Sequence, residues 1–129
     1  MPKPIMTINV EITGSQSLGG EDHSVSLLHF HAEAEGELFN GSTIEDGIDT
    51  QTFIGGKFNM SARYMLEGKD FEGNCCKVFI ENSGSTLSDL TPKIVTDSKA
   101  LRFLQEQELY AQGESIGDGV IIKIYKQGE

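Results

Sequence analysis

The sequence predicts an all-β protein, an antiparallel sandwich or, preferred because closure removes exposed edges, a single closed antiparallel β-barrel of about 8–10 strands, with one short helix near residues 98–105. Three observations predict it. Apolar residues recur with a period of two along most of the chain, turn signals interrupt that pattern at short intervals, and only one stretch carries helical spacing. At 129 residues the chain has the size of one ordinary domain, spanning residues 1–129, and can bury a core without disulfides or metals.

The elements follow in order. Met6, Ile8, Val10 and Ile12 alternate with Thr7, Asn9, Glu11 and Thr13, which marks a strand with one buried and one polar-facing side. Residues 14–24 have the weakest pattern and are expected to form a mobile loop. In the next strand Leu27 and Leu28 are adjacent and apolar, so a bulge is expected to re-aim the chain after Val25. "LHFHAEAE" at 28–35 then places His29, His31, Glu33 and Glu35 on one side and Leu28, Phe30, Ala32 and Ala34 on the other. "IGGK" at 54–57 puts two glycines between alternating runs, a hairpin that pairs Ile54 with Lys57 and, by the same register, Ile48 with Arg63. Phe58, Met60, Ala62, Tyr64 and Leu66 form one face of the following strand, and Cys76, Val78 and Ile80 one face of the next, which ends in the turn signal "NSGS" at 82–85. "TDSKALRFLQEQ" is the helical stretch, with Asp97 or Ser98 as its cap and Leu101 and Leu104 on its inner side. "ELYAQGESIGDGVIIKIYKQ" returns to extended character and predicts a final hairpin. Closing these strands into a barrel removes exposed edges, and a barrel of about eight strands has room for one small ligand.

The charge excludes some partners. Acidic residues number 20 against 10 basic ones, for a net charge of -10, and the basic residues are scattered. Such a field repels phosphate backbones and anionic lipid, so neither nucleic acid nor a membrane is an expected partner. No apolar run reaches the length of a signal peptide core or a membrane span, which predicts a soluble, cytoplasmic protein. A homo-oligomer is compatible with the sequence. Cys75 and Cys76 are adjacent and point to opposite faces of an extended strand, so both are expected as ordinary thiols.

Two groups of residues carry candidate chemistry. His29, His31 and Glu35 have the H-x-H-x-x-x-E spacing of cupin metal barrels, where i, i+2 and i+6 share a strand face. That arrangement needs another histidine from a later strand, and the remaining one, His23, lies upstream; no metal or other cofactor is expected. The row reads more simply as a solvated strand face, with a third alternative that His29 and His31 enter the cavity as proton carriers. The second group is Asp49 and Gln51 on one strand with Arg63 and Glu67 on its hairpin partner. The register makes Asp49 the diagonal neighbour of Arg63, which predicts a charge-assisted pair whose guanidinium also presents donors to a ligand. The alternative is a structural salt bridge. Gly117–Gly119 lacks the lysine and helix of a phosphate loop, no serine sits in a nucleophile elbow, and Tyr64, Tyr110 and Tyr125 read as core or rim.

From Gly36 to the C-terminus the chain also resembles a family. Phe39 and Gly41, then Gly47 and Asp49, then Ala62, Arg63 and Tyr64, an acidic-glycine turn, and a helix before the final hairpin occur in the order found in the domain of unknown function 3237 family, also called uncharacterised protein family 0311. The resemblance implies a closed barrel similar to calycins and no particular reaction, with the family's Asp and Arg positions falling on Asp49 and Arg63. Thr50 stands where an aromatic is common and Phe103 where tryptophan is usual, and the His29 to Glu35 row lies outside the pattern. The expected function is binding of a small organic ligand in the barrel, lined or braced by Asp49, Gln51, Arg63, Glu67, His31 and His29. An isomerase or lyase acting on a carbonyl compound is one alternative, with His29 or His31 moving a proton and Arg63 holding the oxygen. An interaction module with a filled barrel is another.

Overall fold

Nine antiparallel strands and one 3-10 turn make up the computed structural model, which describes residues 2–128. The strands are β1 (Met6–Gly19), β2 (His23–Glu35), β3 (Phe39–Thr43), β4 (Gly47–Ile54), β5 (Lys57–Asp70), β6 (Cys75–Thr86), β7 (Asp89–Thr96), β8 (Leu109–Ile116) and β9 (Gly119–Lys126). Seven of the ten pairings among the described residues join strands that are neighbours in sequence, and β1 pairs with both β2 and β9, so the sheet closes on itself. The result is an eight-strand barrel with one extra strand. The extra strand has a simple origin. β3 and β4 both lie between β2 and β5 and run in the same direction, so they are two halves of one strand interrupted by Ile44 to Asp46.

Several expectations change in detail. Residues 14–24 are not a loop: β1 continues to Gly19 and pairs with β2 through Leu18 opposite Val25 and Gly19 opposite Ser24. The bulge lies on β1 between Ile12 and Gly14, across from Phe30 and His29, and Leu28 simply keeps the phase of Phe30. The helix near 98–105 is a single 3-10 turn, Arg102–Gln105. "NSGS" is not a turn but the end of β6, where a register shift between Gly84 and Thr86 bends the strand before Asp89.

The two ends of the barrel differ. At the lower end Met6, Ile8, Phe39, Leu66, Val78, Ile80 and Ile124 are sealed from water, and Leu101 and Leu104 close the opening from the segment between β7 and β8. Each such side chain contributes about 1.5–3 kcal/mol by leaving water. A polar staple holds this closure. Asp70 accepts the backbone N–H groups of Glu72 (3.0 Å) and Asn74 (3.1 Å) and the Ser98 hydroxyl (2.7 Å), while Ser98 Oγ accepts the Leu101 N–H at 3.2 Å. Glycine makes the wall tight. Gly41 pairs with Gly68, and a Cβ on Gly68 would sit 2.0 Å from the Asn40 carbonyl oxygen, while one on Gly41 would meet the Phe39 ring at 2.6 Å. The Phe39 ring therefore folds over a glycine that nothing larger could replace. No helix among the described residues is long and apolar enough to cross a membrane.

Candidate functional site

The upper half of the lumen is not filled. Above the Phe30 and Tyr64 rings, which meet edge to face at 5.3 Å, lies a cavity of about 200 Å³. Its walls are mostly apolar, from Leu28, Met60, Leu90, Val120 and Ile122, and its polar lining comes from Asp49, Gln51, Asn82 and Ser115. Gly47 makes room for the floor: a Cβ there would meet both the Phe30 ring and Tyr64 Cβ at 2.6 Å. β4 thus begins with a glycine against two aromatic rings and places Asp49 one step higher on the lumen face.

Register decides which side chains reach the cavity. Asp49 is opposite Ala62, and Ala62 is opposite Asn82, so these three form one row across β4, β5 and β6. Paired residues in an antiparallel sheet point to the same side. Asp49, Ala62 and Asn82 therefore face the lumen, while Ile48, Arg63 and Glu81 form the neighbouring row on the outside. Arg63 Nε lies 2.7 Å from Glu81 Oε2 on the outer surface. The expected Asp49 and Arg63 pair is thus corrected. The register pairing Ile48 with Arg63 is as the hairpin predicted, but a diagonal neighbour offset by one residue belongs to the opposite face. Glu67 also faces outward, with Lys77 Nζ at 3.8 Å.

The histidines lie outside as well. His29 pairs with Ile48 and alternates with lumen-facing Leu28 and Phe30. His31 Nδ1 is 3.1 Å from Thr43 Oγ1 and its Nε2 is 3.4 Å from Glu33. The same Thr43 hydroxyl accepts the Ala32 N–H at 3.1 Å where the wall divides between β3 and β4. Neither ring shares the cavity with Asp49.

The polar side chains that do line the cavity are incompletely satisfied. Gln51 donates to Asp49 Oδ2 at 2.9 Å. Asp49 Oδ1 and Asn82 Oδ1 are both buried and have no hydrogen-bond partner. Burial pushes the Asp49 carboxyl above its ordinary range, an effect opposed by the Gln51 amide and the Ser61 backbone N–H. Burial likewise raises Tyr64, keeping the phenol neutral. Among the described residues no lysine, arginine or histidine lines the cavity.

Asn82, Tyr64 and Ser115 were not among the expected site residues. Asn82 belongs to a cluster of turn-forming residues, which hid it, although its parity with Cys76, Val78 and Ile80 already placed it on the inner face. Tyr64 is a core residue, as its alternation with Leu66 indicated, and one that also forms the cavity floor.

No protein-family model matches the chain, and no curated protein sequence is significantly similar to it. Solved structures are similar in fold. A protein with unknown function from Clostridium acetobutylicum superposes with a TM-score of 0.80 at 19% identity, covering 96% of each chain. A β-barrel-like protein from Acinetobacter baumannii AYE gives 0.78 at 16% identity, covering 98% of this chain and 94% of its own. An enzyme from Penicillium herquei gives 0.72 at 14% identity, covering 96% of each. At these identities the likeness is one of fold.

Proposed function

We propose that the protein binds a small organic molecule in the upper lumen, with Asp49, Gln51 and Asn82 fixing its polar part, and that it is a divergent member of the domain of unknown function 3237 family. One observation carries the binding reading. Two buried polar oxygens, Asp49 Oδ1 and Asn82 Oδ1, lack partners beside an unfilled, largely apolar space. A buried acceptor without a donor costs about 1–3 kcal/mol, and a bound molecule that supplies donors recovers that cost. Apolar walls with a few placed polar groups are the usual composition of a small-molecule site. The family reading draws on Phe39 over Gly41 and on Gly47 before Asp49, which give the resembling motifs a structural reason.

An enzyme acting on a carbonyl compound remains the second reading, supported by the perturbed Asp49 carboxyl and by the fold shared with the Penicillium herquei enzyme. Its proton carrier would be Asp49, since His29, His31 and Arg63 sit on the outer face.

A thermal-shift screen of single-ring organic compounds tests the binding reading, run in parallel on the wild type and on Ala62→Phe, which fills the space between Asp49 and Asn82. A ligand at a hundred times its Kd stabilises by about 2.7 kcal/mol, or roughly 10 °C for a chain of this size. Hits that raise the wild-type Tm and leave folded Ala62→Phe unchanged support it. Hits that shift both proteins equally, or none at all, contradict it.

A further inference from the structure

Resting on that binding reading, we propose that the molecule the lumen takes is a small organic ammonium ion, a protonated primary amine on one apolar ring, with its nitrogen held by Asp49 and Asn82. The unpartnered atoms are both oxygens, Asp49 Oδ1 and Asn82 Oδ1. An ammonium group has three donors and no acceptor, so it complements two acceptors without adding an unsatisfied lone pair. The two residues stand two interstrand steps apart, about 9–10 Å between backbones, with only the Ala62 methyl between them. Both side chains line the same cavity, on the concave face of the wall on either side of that methyl.

Charge separates this ligand from its isosteres. Among the described residues Asp49 is the one carboxylate that lines the cavity, and no cationic side chain lines it. A carboxylate or phosphate ligand would set a second negative charge beside Asp49 with no counter-charge, which a desolvated site does not tolerate. A neutral hydroxyl could satisfy one oxygen but would leave the carboxylate charge unpaired. Burial already disfavours the ionised Asp49, and the Gln51 amide is a neutral partner only. An ammonium ion supplies the missing positive charge.

The approach to the cavity has the same sign. The upper rim is formed by the β1–β2, β4–β5, β6–β7 and β8–β9 turns, which carry Glu21, Asp22, Asp89 and Asp118 against Lys57 and His23. With a net charge of -10 behind it, this rim draws cations toward the opening. Phe53 and Phe58 pair on the lumen-facing side at the rim and remain 45% and 39% exposed. They stand outside the cavity lining, on the way in, while Phe30 and Tyr64 in the floor are the aromatic rings within reach of a bound ring. Size sets the rest: an apolar cavity of about 150 Å³ holds a benzene ring, and this one is about 200 Å³.

The test is an isothermal titration at pH 7 with four near-isosteric probes, benzylamine, benzyl alcohol, toluene and benzoate. The proteins are the wild type, Asp49→Asn and Ala62→Phe. The proposal expects benzylamine to bind the wild type roughly tenfold or more tighter than benzyl alcohol, and benzoate not to bind. It expects Asp49→Asn to bring benzylamine down to the level of benzyl alcohol, and Ala62→Phe to bind no probe. Equal or tighter binding of benzyl alcohol or benzoate, lost in Ala62→Phe, overturns the ammonium assignment while leaving the lumen a ligand site. Benzylamine binding that survives in Ala62→Phe is surface attraction and overturns the assignment too. Absence of any binding that Ala62→Phe removes overturns the lumen reading along with it.

Discussion

Asp49 is held in the barrel wall at an energetic cost, because a carboxylate has been taken from water and given one neutral amide and a backbone N–H in return. The folded chain keeps the Asp49 proton to a higher pH than the unfolded chain does. Between the two pKa values the native state therefore binds more protons, and stability falls as pH rises through that window. Asn at position 49 cannot ionise. Asp49→Asn is expected to melt above the wild type at pH 7, with the difference shrinking as pH falls below the ordinary aspartate range; thermal melts from pH 3 to 8 check this, and a pH-independent difference would contradict it. Arg63→Ala gives the contrast, since an exposed pair with Glu81 is worth about 0–1 kcal/mol and lies outside the lumen. It should leave both stability and probe binding nearly unchanged. Sequence reasoning reached Asp49 and Gln51 on one face because period-two alternation is a local signal. It joined Asp49 to Arg63 because a diagonal in the hairpin register was read as contact, when the offset of one residue puts the pair on opposite faces. The histidine row was legible as a solvated face from its glutamates. Asn82 was hidden by its neighbours' turn chemistry.

At the scale of elements, the strands and hairpins were readable wherever glycine or Asp and Asn marked a turn, as at Gly55 and Gly56, whose φ values are 58° and 81°. The β1–β2 hairpin was not, because both strands run on beyond the core, where Ser17, Ser24 and Ser26 face little apolar surface and carry no alternation. The predicted helix shortened to one 3-10 turn because its role is to cap the barrel with Leu101 and Leu104, which needs two side chains and not a long face. The cap depends on Ser98. Ser98→Ala removes a donor from Asp70 and the acceptor of the Leu101 N–H, and should cost about 1–3 kcal/mol in denaturant melts. The Ser98 hydroxyl, with the Asn74 and Glu72 backbone N–H groups, holds the Asp70 carboxyl below its ordinary range. That contribution is present above the unfolded-state pKa and lost as pH falls through the folded one. The cost of Ser98→Ala should therefore be larger at pH 7 than at pH 3. In the wall itself, Gly68→Ala forces a Cβ onto the Asn40 carbonyl and should destabilise by about 3 kcal/mol or more, which equilibrium unfolding would measure.

For the whole molecule, closure of the barrel was legible from strand count and from the need to cover edges, whereas the division of its interior was not. Alternation tells which residues point inward, but not whether their volumes fill the space. At the lower end large side chains and the Leu101 and Leu104 cap fill it; in the upper half the row of Asp49, Ala62 and Asn82 places a methyl where a filled barrel would need a larger apolar group. This unfilled half is the proposed ligand site. The most direct measurement is a methyl-resolved NMR titration with a hit from the screen. The predicted result is saturable shifts at the lumen methyls of Leu28, Met60, Leu90, Val120 and Ile122, lost in Ala62→Phe. Shifts confined to outward methyls such as Val95 and Ile44, with the lumen methyls unmoved at saturation, would contradict it.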